Sequence, residues 1–444
     1  MKRQILFISM FFFIYTCAFA QFSSLKQNEG MMSGGVGMSY VDDKPYFAFH
    51  FQPELAFANM GLGLDLNLEI SPAGKINPEN FNEFSDYASI IRYFRYGSKG
   101  DPAYFRIGAL DYATLGHGSI MYAYNNSASY DARKIGVEFD VDFNEFGFES
   151  VYGTFGEAGV FGVRGYVRPL RLTALKDIPI ISNLEVGATY SADFNQNAGV
   201  YEGNLVDGKF KAVDSTDAGV MNIIGFDLGL PILKTSWLNL DLYYDFVKFV
   251  DFGSGSSAGF IARFNALGAV NVTTKLERRF NGDKYIPSYF NSFYEIERFR
   301  YDGANVRSKV QFLDALQTEG NGYYGELMVS LLNTFNIIGS YQRLDKDSKS
   351  GILHLVADAQ TFGSYVVRAG YDKVRIKSEA DLFTLDDRSY LFAEVGYKPY
   401  SFMIVSMVYH YTFTPTRDKS DNITGYKPQK RIEPRVTFVY PFNM

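Results

Sequence analysis

Few side chains in this sequence have the types and spacing that catalysis or metal binding would need. The sequence has four histidines: His50, His117, His354 and His410. His117 and Ser119 stand close together in LGHGS, but a nucleophilic serine of the G-x-S-x-G type needs a different spacing. No two histidines have the spacing of metal ligands, and the Asp-x-Asp-x-Asp-Gly pattern of a calcium loop is absent. The sequence therefore predicts that the protein is not an enzyme and uses no cofactor or metal.

Charged and polar residues at every second position of several alternating segments are the more informative candidates. If these segments are strands, the side chains concerned point to one side of a sheet, where they would line a lumen. The candidates are Asp65, Asn67, Glu69, Arg106, Glu138, Asp140, Asp142, Arg164, Arg168, Arg263, Lys275, Arg368 and His410. Acids and bases on opposed walls of a pore would create a field that biases which solutes pass. Alternatively, they would pair with one another as a static network that fills the interior.

An aromatic-rich insertion at residues 282–322 is the most distinctive segment of the chain. Its candidate constriction residues are aromatic or basic: Tyr289, Phe293, Tyr294, Arg298 and Arg300. Aromatic rings beside arginines suit stacking on sugar rings or gripping an amphiphile. We expect so apolar an insertion to fold into the interior as a constriction, or to pack over its mouth. The alternative is a self-packed outer loop with no ligand.

The elements that must position these residues are β-strands, because apolar and polar residues alternate along most of the chain. In GLGLDLNLEI (61–70), the leucines fall on one parity, whereas the acids and Asn67 fall on the other. A strand sorts such residues onto two faces, whereas a helix would scatter them. The segments IGVEFDVDF (135–143) and LNLDLYYDF (238–246) repeat the pattern. The whole chain yields about 18 to 20 strand candidates, with no convincing amphipathic helix between most of them.

Connections between these strands alternate between short and long. Short connections include 59–61, 99–102 and 144–147, and long ones include 71–89, 117–132 and 282–322. The alternation places the long loops at one end of an up-and-down meander, which is typical of an outer-membrane barrel and not of a Greek-key sandwich. One exception interrupts it: the connection at 156–159 is tight where a long one is due, and 169–181 is longer than its side should allow.

The sequence therefore predicts a single all-β domain over residues 21–444, an antiparallel up-and-down transmembrane β-barrel. Because both termini should lie at one end, the strand number should be even, about 16 to 18 within a range of roughly 14 to 20. Aromatic residues next to predicted turns and loops would form the interfacial girdles: Tyr96, Tyr104, Tyr112, Phe143, Phe146, Phe249, Phe252, Tyr397, Tyr400, Phe402, Tyr411 and Phe413. The competing fold is an exported β-sandwich or solenoid.

The first 20 residues have the three parts of a secretory signal peptide. Lys2 and Arg3 precede an apolar run, and Ala18-Phe19-Ala20 ends it, so we expect cleavage after Ala20. The alternative is a lipoprotein signal that ends before Cys17, the only cysteine. No later segment has the roughly 18 uninterrupted apolar residues of a membrane-spanning helix. The formal net charge of −6 argues against nucleic acid as a partner.

Two regions carry a resemblance to a known class. The stretch from LGHGSIMYAYNNS (115–127) through RKIGVEFDVDFNEFGFES (133–150) resembles uncharacterised outer-membrane β-barrel proteins of Gram-negative bacteria. The closing RIEPRVTFVYPFNM resembles the terminal strand that the outer-membrane insertion machinery binds, which makes residues 435–442 the expected contact. The resemblance implies a place in the bacterial outer membrane, among its lipid and lipopolysaccharide, and implies no specific activity.

Two functions fit these observations. The first is a passive or substrate-biased channel for small solutes, porin-like, with the lumen charges setting preference and residues 282–322 narrowing the bore. The second is a non-conducting barrel that acts as a scaffold, or as a subunit of an envelope assembly or secretion complex, and presents its outer loops to partner proteins.

Overall fold

We describe the fold from a computed structural model of the chain. The structure describes residues 29–77, 87, 90–127, 134–155, 159–199, 202–206, 209–212, 219–266, 270–302, 305–315, 320–331, 335–362, 364–417 and 423–443. The predicted signal peptide at 1–20, including Cys17, lies outside these residues.

Antiparallel pairing closes the chain into a barrel of twenty strands. The barrel segments are β1 (Glu29–Val41), β2 (Lys44–Phe51), β3 (Glu54–Phe57), β4 (Met60–Leu64), β5 (Leu66–Ile70), β6 (Ile91–Tyr96), β7 (Ala103–Gly108), β8 (Gly136–Asp142), β9 (Phe146–Tyr152), β10 (Val160–Val167), β11 (Glu185–Asp193), β14 (Met221–Lys234), β15 (Leu238–Phe249), β16 (Ser254–Ala266), β17 (Val270–Asn281), β20 (Gly322–Leu331), β21 (Phe335–Leu344), β22 (Gly351–Phe362), β23 (Tyr365–Ile376), β24 (Ser389–Tyr400), β25 (Met403–Arg417) and β26 (Ile423–Asn443). Segments β2 and β3 both pair with β1 and together form one barrel strand. Segment β5 pairs with β2 and segment β4 pairs with β3, so β4 and β5 together form the next strand. Strand β26 pairs with β1 and closes the barrel.

Four further segments form a small separate sheet: β12 (Glu202–Val206), β13 (Lys209–Ala212), β18 (Phe299–Asp302) and β19 (Asn305–Ser308). The pairing of β12 with β19 joins the connection after β11 to the connection after β17.

Helical structure in the described part of the chain is short. It comprises α1 (Tyr294–Glu297), α2 (Lys309–Ala315) and 3₁₀ turns at Pro169–Leu172, Ile181–Asn183 and Glu379–Asp381. Among the residues that the structure describes, none belongs to a helix with the length and apolarity to cross a membrane.

The predicted fold class is confirmed, with an even strand number at the upper limit of the predicted range. The central estimate is lower than twenty because residues 33–42 and 337–344 alternate poorly. Strand β1 is rich in glycine, EGMMSGGVGMSYV, and a glycine adds no side chain to either face. Its pairing with β2 and β26 nevertheless fixes it as a full barrel strand.

The two faces of each strand differ as a membrane barrel requires. On β15 the side chains of Leu242, Tyr244 and Phe246 are exposed on the outside, whereas Tyr243 and Asp245 are buried inside. In a soluble sandwich the apolar face would be the buried one. An apolar outer surface around a polar interior indicates that lipid is the outer solvent.

Exposed aromatic residues mark the end of the barrel that carries tight turns. They are Phe57, Tyr96, Phe143, Phe146, Trp237, Tyr365, Tyr397, Tyr400, Phe402, Phe438 and Tyr440. Four other aromatics predicted for the girdles, Tyr104, Phe249, Tyr411 and Phe413, are instead buried. Position beside a loop does not decide which face a residue occupies. Parity decides it for Tyr104, which shares the inner face with Arg106.

The connections place long loops at one end of the barrel, which we call the long-loop end, and tight turns at the other, the turn end. Tight turns at 58–59, 143–145 and 401–402 illustrate the turn end. The predicted exception is real: residues 168–184, between β10 and β11, form a long connection at the turn end. The long-loop end carries the segments that build the candidate site.

Candidate functional site

Two long loops turn inwards and meet inside the barrel. They are residues 109–127, after β7, and 282–315, after β17, and together we call them the plug. Met121 and Phe290 pair as a parallel β-bridge, and the Tyr122 N–H donates to the Phe290 carbonyl at 3.0 Å. The plug is therefore one body made from two segments that are distant in sequence.

Aromatic packing attaches the plug to the inner wall. The ring of Phe249 on β15 lies 5.1 Å from that of Tyr285 and 5.2 Å from that of Tyr289, and Phe290 lies 4.7 Å from Tyr294. The buried cluster comprises plug residues Leu110, Ala113, Leu115, Ile120, Met121, Tyr124, Tyr285, Tyr289, Phe290, Tyr294, Val310 and Leu313 together with Val151, Val160, Ala198, Met221, Ile223, Val247 and Phe249. This cluster is the apolar core of the protein, and it lies inside the barrel at the long-loop end.

Glycines on the inner wall make room for the plug. A Cβ atom at Gly162 on β10 would lie 2.4 Å from the Leu115 side chain. A Cβ atom at Gly255 on β16 would lie 2.2 Å from the Tyr285 ring. Real Cβ atoms do not approach so closely, so any larger residue at either position would displace the plug.

A buried ion network holds α1 of the plug in place. Arg298 lies 2.6 Å from Asp193, at the long-loop end of β11, and Glu295 binds Lys134 and accepts a hydrogen bond from the Tyr124 hydroxyl at 2.6 Å. Burial alone would raise the pKa of Glu295, but Arg298 and Lys134 hold that pKa at about 2. The carboxylate of Glu295 is therefore ionised at neutral pH, and the network is a set of charge pairs.

The tip of the plug, residues 115–119, reaches the middle of the barrel wall. His117 Nδ1 lies 2.7 Å from Asp245 Oδ1, and the His117 ring stacks on Tyr243 with centroids 4.2 Å apart. The Ser119 hydroxyl donates to Asp245 and lies 3.0 Å from the Ser257 hydroxyl. A serine nucleophile needs a hydrogen bond to its base, but here the Ser119 hydroxyl and the His117 ring each bind Asp245. The LGHGS motif positions the plug tip.

Three potential metal ligands meet at this tip. One ligand atom each from His117, Asp227 and Asp245 lies within 4.8 Å of the others. However, the Arg164 guanidinium donates to both oxygens of Asp227, at 2.6 and 2.9 Å. A cation would have to displace this guanidinium as well as the hydrogen bond between His117 and Asp245. We assign no metal to these residues.

An aromatic cage around Lys275 on β17 holds the same loop on the same side of the barrel. Lys275 Nζ lies 5.5 Å from the ring centroids of Tyr122 and Tyr243 and 5.1 Å from that of Tyr324. It also donates to the His117 carbonyl and lies 2.9 Å from Glu277. One wall lysine thus binds both the backbone and an aromatic side chain of the plug.

The plug also touches the opposite wall. The ring of Phe293 lies 6.3 Å from that of Phe413 on β25, and Tyr112 lies 5.0 Å from His354 on β22. Ser292 donates a hydrogen bond to Asp372 on β23 at 3.4 Å. Because its other contacts lie on the part of the wall from β7 to β17, the plug crosses the lumen from wall to wall.

Several predicted lumen residues contact the plug or form ion pairs on the inner wall. Arg106 lies 3.1 Å from Asp111 of the plug, and Arg164 and Lys275 make the contacts given above. Glu138 and Asp140 share Lys99, at 3.4 and 3.1 Å. All five are buried.

Other predicted lumen residues lie away from the plug. Arg168 binds Asp142 at 2.8 Å near the turn end, and Arg263 pairs with Asp241 there. Across the lumen lie Asp65, between β4 and β5, and residues of β5, β23 and β25: Asn67, Glu69, Arg368 and His410. Asp65 accepts from Asn67 at 2.7 Å, Glu69 pairs with Arg431, and Arg368 lies 3.4 Å from Glu394. Whether these residues select solutes stays a prediction.

The predicted constriction residues divide in two. Tyr289, Phe293, Tyr294 and Arg298 are buried within the plug. Arg300 belongs to strand β18, and its side chain lies outside the described part of the chain. Sequence reasoning missed the contribution of residues 109–127, whose run of small and apolar residues, LGHGSIMYAY, was the available signal.

The closed barrel, its apolar outer face and its inward-folded loops together define the class: a β-barrel of the outer-membrane type. No family model matches the chain, and no curated protein matches its sequence.

Solved structures similar to the chain are outer-membrane barrels. The ferric enterobactin receptor PfeA of Pseudomonas aeruginosa is 10% identical, with 93% of this chain and 81% of that chain covered and a TM-score of 0.35. OccAB3 of Acinetobacter baumannii is 9% identical, with 93% and 98% covered and a TM-score of 0.30. A triple mutant of the porin of Rhodopseudomonas blastica is 10% identical, with 93% and 99% covered and a TM-score of 0.27. At such scores the similarity bears on none of the site residues.

Proposed function

We propose that this protein is an outer-membrane channel for small solutes, in which the plug narrows the bore. The observation that carries the proposal is the plug itself, which spans a water-accessible lumen from wall to wall. The apolar core of the plug needs no water around it. Exposure of charged side chains on the inner wall away from the plug therefore supports a solvated lumen. The side chains of Arg263 and Asp241 are 37% and 29% exposed, and that of Arg368 is 24% exposed.

Electrostatics supports a channel for polar solutes. Water that reaches charged pairs inside the barrel keeps their local dielectric high, so ions and small polar molecules can enter at modest cost. The plug would then act as a size filter at the long-loop end, with the tip at His117 as its deepest point.

Planar-bilayer conductance tests the proposal. We expect small steps from the purified protein and larger steps after residues 286–310 are replaced by a short Gly-Ser linker. The matched control replaces residues 378–387, another connection at the long-loop end, and should leave the step size unchanged. Absence of steps from both the intact protein and the plug deletion would exclude a channel.

A disulfide can show whether the plug stays in place during conduction. The hydroxyl oxygens of Ser119 on the plug and Ser257 on the wall are 3.0 Å apart, and the only native cysteine, Cys17, lies in the predicted signal peptide. In the Ser119→Cys, Ser257→Cys variant we expect the same steps before and after reduction. Steps that appear only after reduction would mean that the plug must leave for solutes to pass.

A second candidate is the non-conducting scaffold. The many buried charge pairs that fix the plug favour it, because a permanently filled lumen is also stabilised by such contacts. A protein that folds, and gives no steps with or without the plug, would support this function.

A further inference from the structure

The long connection at the turn end exposes a row of aliphatic side chains. Leu172, Leu175, Ile178, Ile180 and Ile181 are between 41% and 65% exposed. They all belong to residues 168–184, which we call the apolar loop. Exposed apolar groups concentrated in one short segment mark a surface that binds something other than water.

The apolar loop is held in a defined place. The side chains of Arg168 and Arg171 each donate to the Asn144 carbonyl at 2.8 Å, and Arg171 also binds Asn183. Within the loop, the Ser182 N–H donates to the Ile178 carbonyl at 3.2 Å. The aliphatic side chains therefore sit on a folded segment tied to the turn between β8 and β9.

The apolar surface continues into the aromatic girdle on both sides. Phe143 and Phe146 flank the turn that holds the apolar loop, and both are exposed. On the other side, residues 181–183 pack against β14, whose turn end carries exposed Leu233 and leads to Trp237. Exposed aromatics at this level of a membrane barrel lie in the headgroup region of the bilayer.

We propose that the apolar loop is a lipid-binding surface that lies in the bilayer interface at the turn end, with its aliphatic side chains among phospholipid acyl chains. Continuity with the girdle identifies the occupant as lipid, because a surface that extends the lipid-contacting band meets the same solvent. The loop would widen the barrel's contact with one leaflet at a single point of its circumference. This inference rests on the barrel lying in a membrane, and it does not depend on conductance.

Fluorescence of single tryptophans tests the proposal. Trp237 is the only tryptophan, so a Trp237→Phe background can carry one new tryptophan at Ile178. The folded proteins are reconstituted into phosphatidylcholine–phosphatidylglycerol vesicles with or without brominated acyl chains. For Ile178→Trp we expect blue-shifted emission, at least twofold quenching by brominated lipid, and little quenching by acrylamide.

Two matched variants calibrate the readout. Phe146→Trp, in the girdle, should be quenched by brominated lipid, whereas Ser348→Trp, exposed at the long-loop end, should be quenched only by acrylamide. Quenching of Ile178→Trp by acrylamide alone would overturn the proposal, and so would shielding from both quenchers, which would indicate a protein contact. If Phe146→Trp also fails to sense lipid, the membrane barrel itself is in error, which separates the two failures.

Discussion

The guanidinium of Arg298, on the plug, lies 2.6 Å from a carboxylate oxygen of Asp193 on the barrel wall, and both side chains are buried. This pair joins two segments that are far apart in sequence. It also accounts for how a loop rich in aromatic residues keeps a single position inside a wet lumen. Removal of one partner would leave the other as an uncompensated buried charge.

We therefore expect Arg298→Met to release the plug. The loss of one partner from a buried ion pair costs about 3–5 kcal/mol. Hydrogen exchange should show that residues 282–315 lose protection while the barrel strands keep theirs. Arg278→Met, which removes a surface pair with Asp345 at 2.7 Å, is the control and should leave the plug protected. Equal protection in both variants would contradict this role of Arg298.

Acid should loosen the plug through Glu295. Its pKa is lowered from 4.5 to about 2 in the folded protein, so its charge stabilises the plug fully above pH 4.5. That contribution, about 3 kcal/mol at most, is lost as the pH falls from about 4.5 towards 2. Plug protection, measured by hydrogen exchange across this range, should decline. Glu295→Gln should start lower and change less; a wild-type profile that stays flat would rule out this linkage.

A residue larger than glycine at position 255 should push the plug off the wall. Gly255→Val places a side chain where the Tyr285 ring now lies, and overpacking of this kind costs about 1–3 kcal/mol. Gly370→Val on β23 is the control, since a Cβ atom there has no neighbour within 4 Å. We expect a lower melting temperature and larger conductance steps for Gly255→Val alone. Identical behaviour of the two variants would show that the close approach to Tyr285 has no consequence.

The outer face should not tolerate charge. Leu66 shares the outward parity of its strand, and Leu66→Arg near the bilayer midplane should cost about 2–4 kcal/mol. The folded fraction, read from heat-modifiable gel mobility, should fall. On the inner face, Asp65 accepts hydrogen bonds from Gln52 at 2.9 Å and from Asn67, and Asp65→Asn should fold normally. Loss of folding in Asp65→Asn with none in Leu66→Arg would reverse the two faces.

The alternation of apolar and polar residues was enough to predict the strands and the closed barrel. The alternation of short and long connections was enough to predict a long-loop end and a turn end. Residue alternation succeeds because a side chain in a strand points to one of two faces, and lipid and lumen demand opposite chemistry. Asp65 and Leu66, neighbours in the sequence, illustrate the rule. It placed the strand number within the predicted range but centred it below the observed twenty, because the glycines of β1 add no alternation.

The plug could be predicted only in part. The aromatic content of residues 282–322 indicated an inward fold, but its partner segment, 109–127, has no such composition. Contacts such as those of Arg298 with Asp193 or Ser119 with Asp245 depend on which strands become neighbours of a loop after closure. No local pattern records such a choice, because each partner alone is an ordinary charged or polar residue.

The seam between β1 and β26 has a kinetic consequence. It pairs Val36 with Val436 and Gly30 with Phe442, residues from opposite ends of the described chain. Contacts of such large sequence separation form last, since most of the chain must be ordered before its two ends can meet. Until that moment two unpaired edges face the membrane, and every intermediate is exposed to pairing with a second chain. We therefore expect closure to be a slow step of assembly, during which the two edges stay open to pairing with another chain.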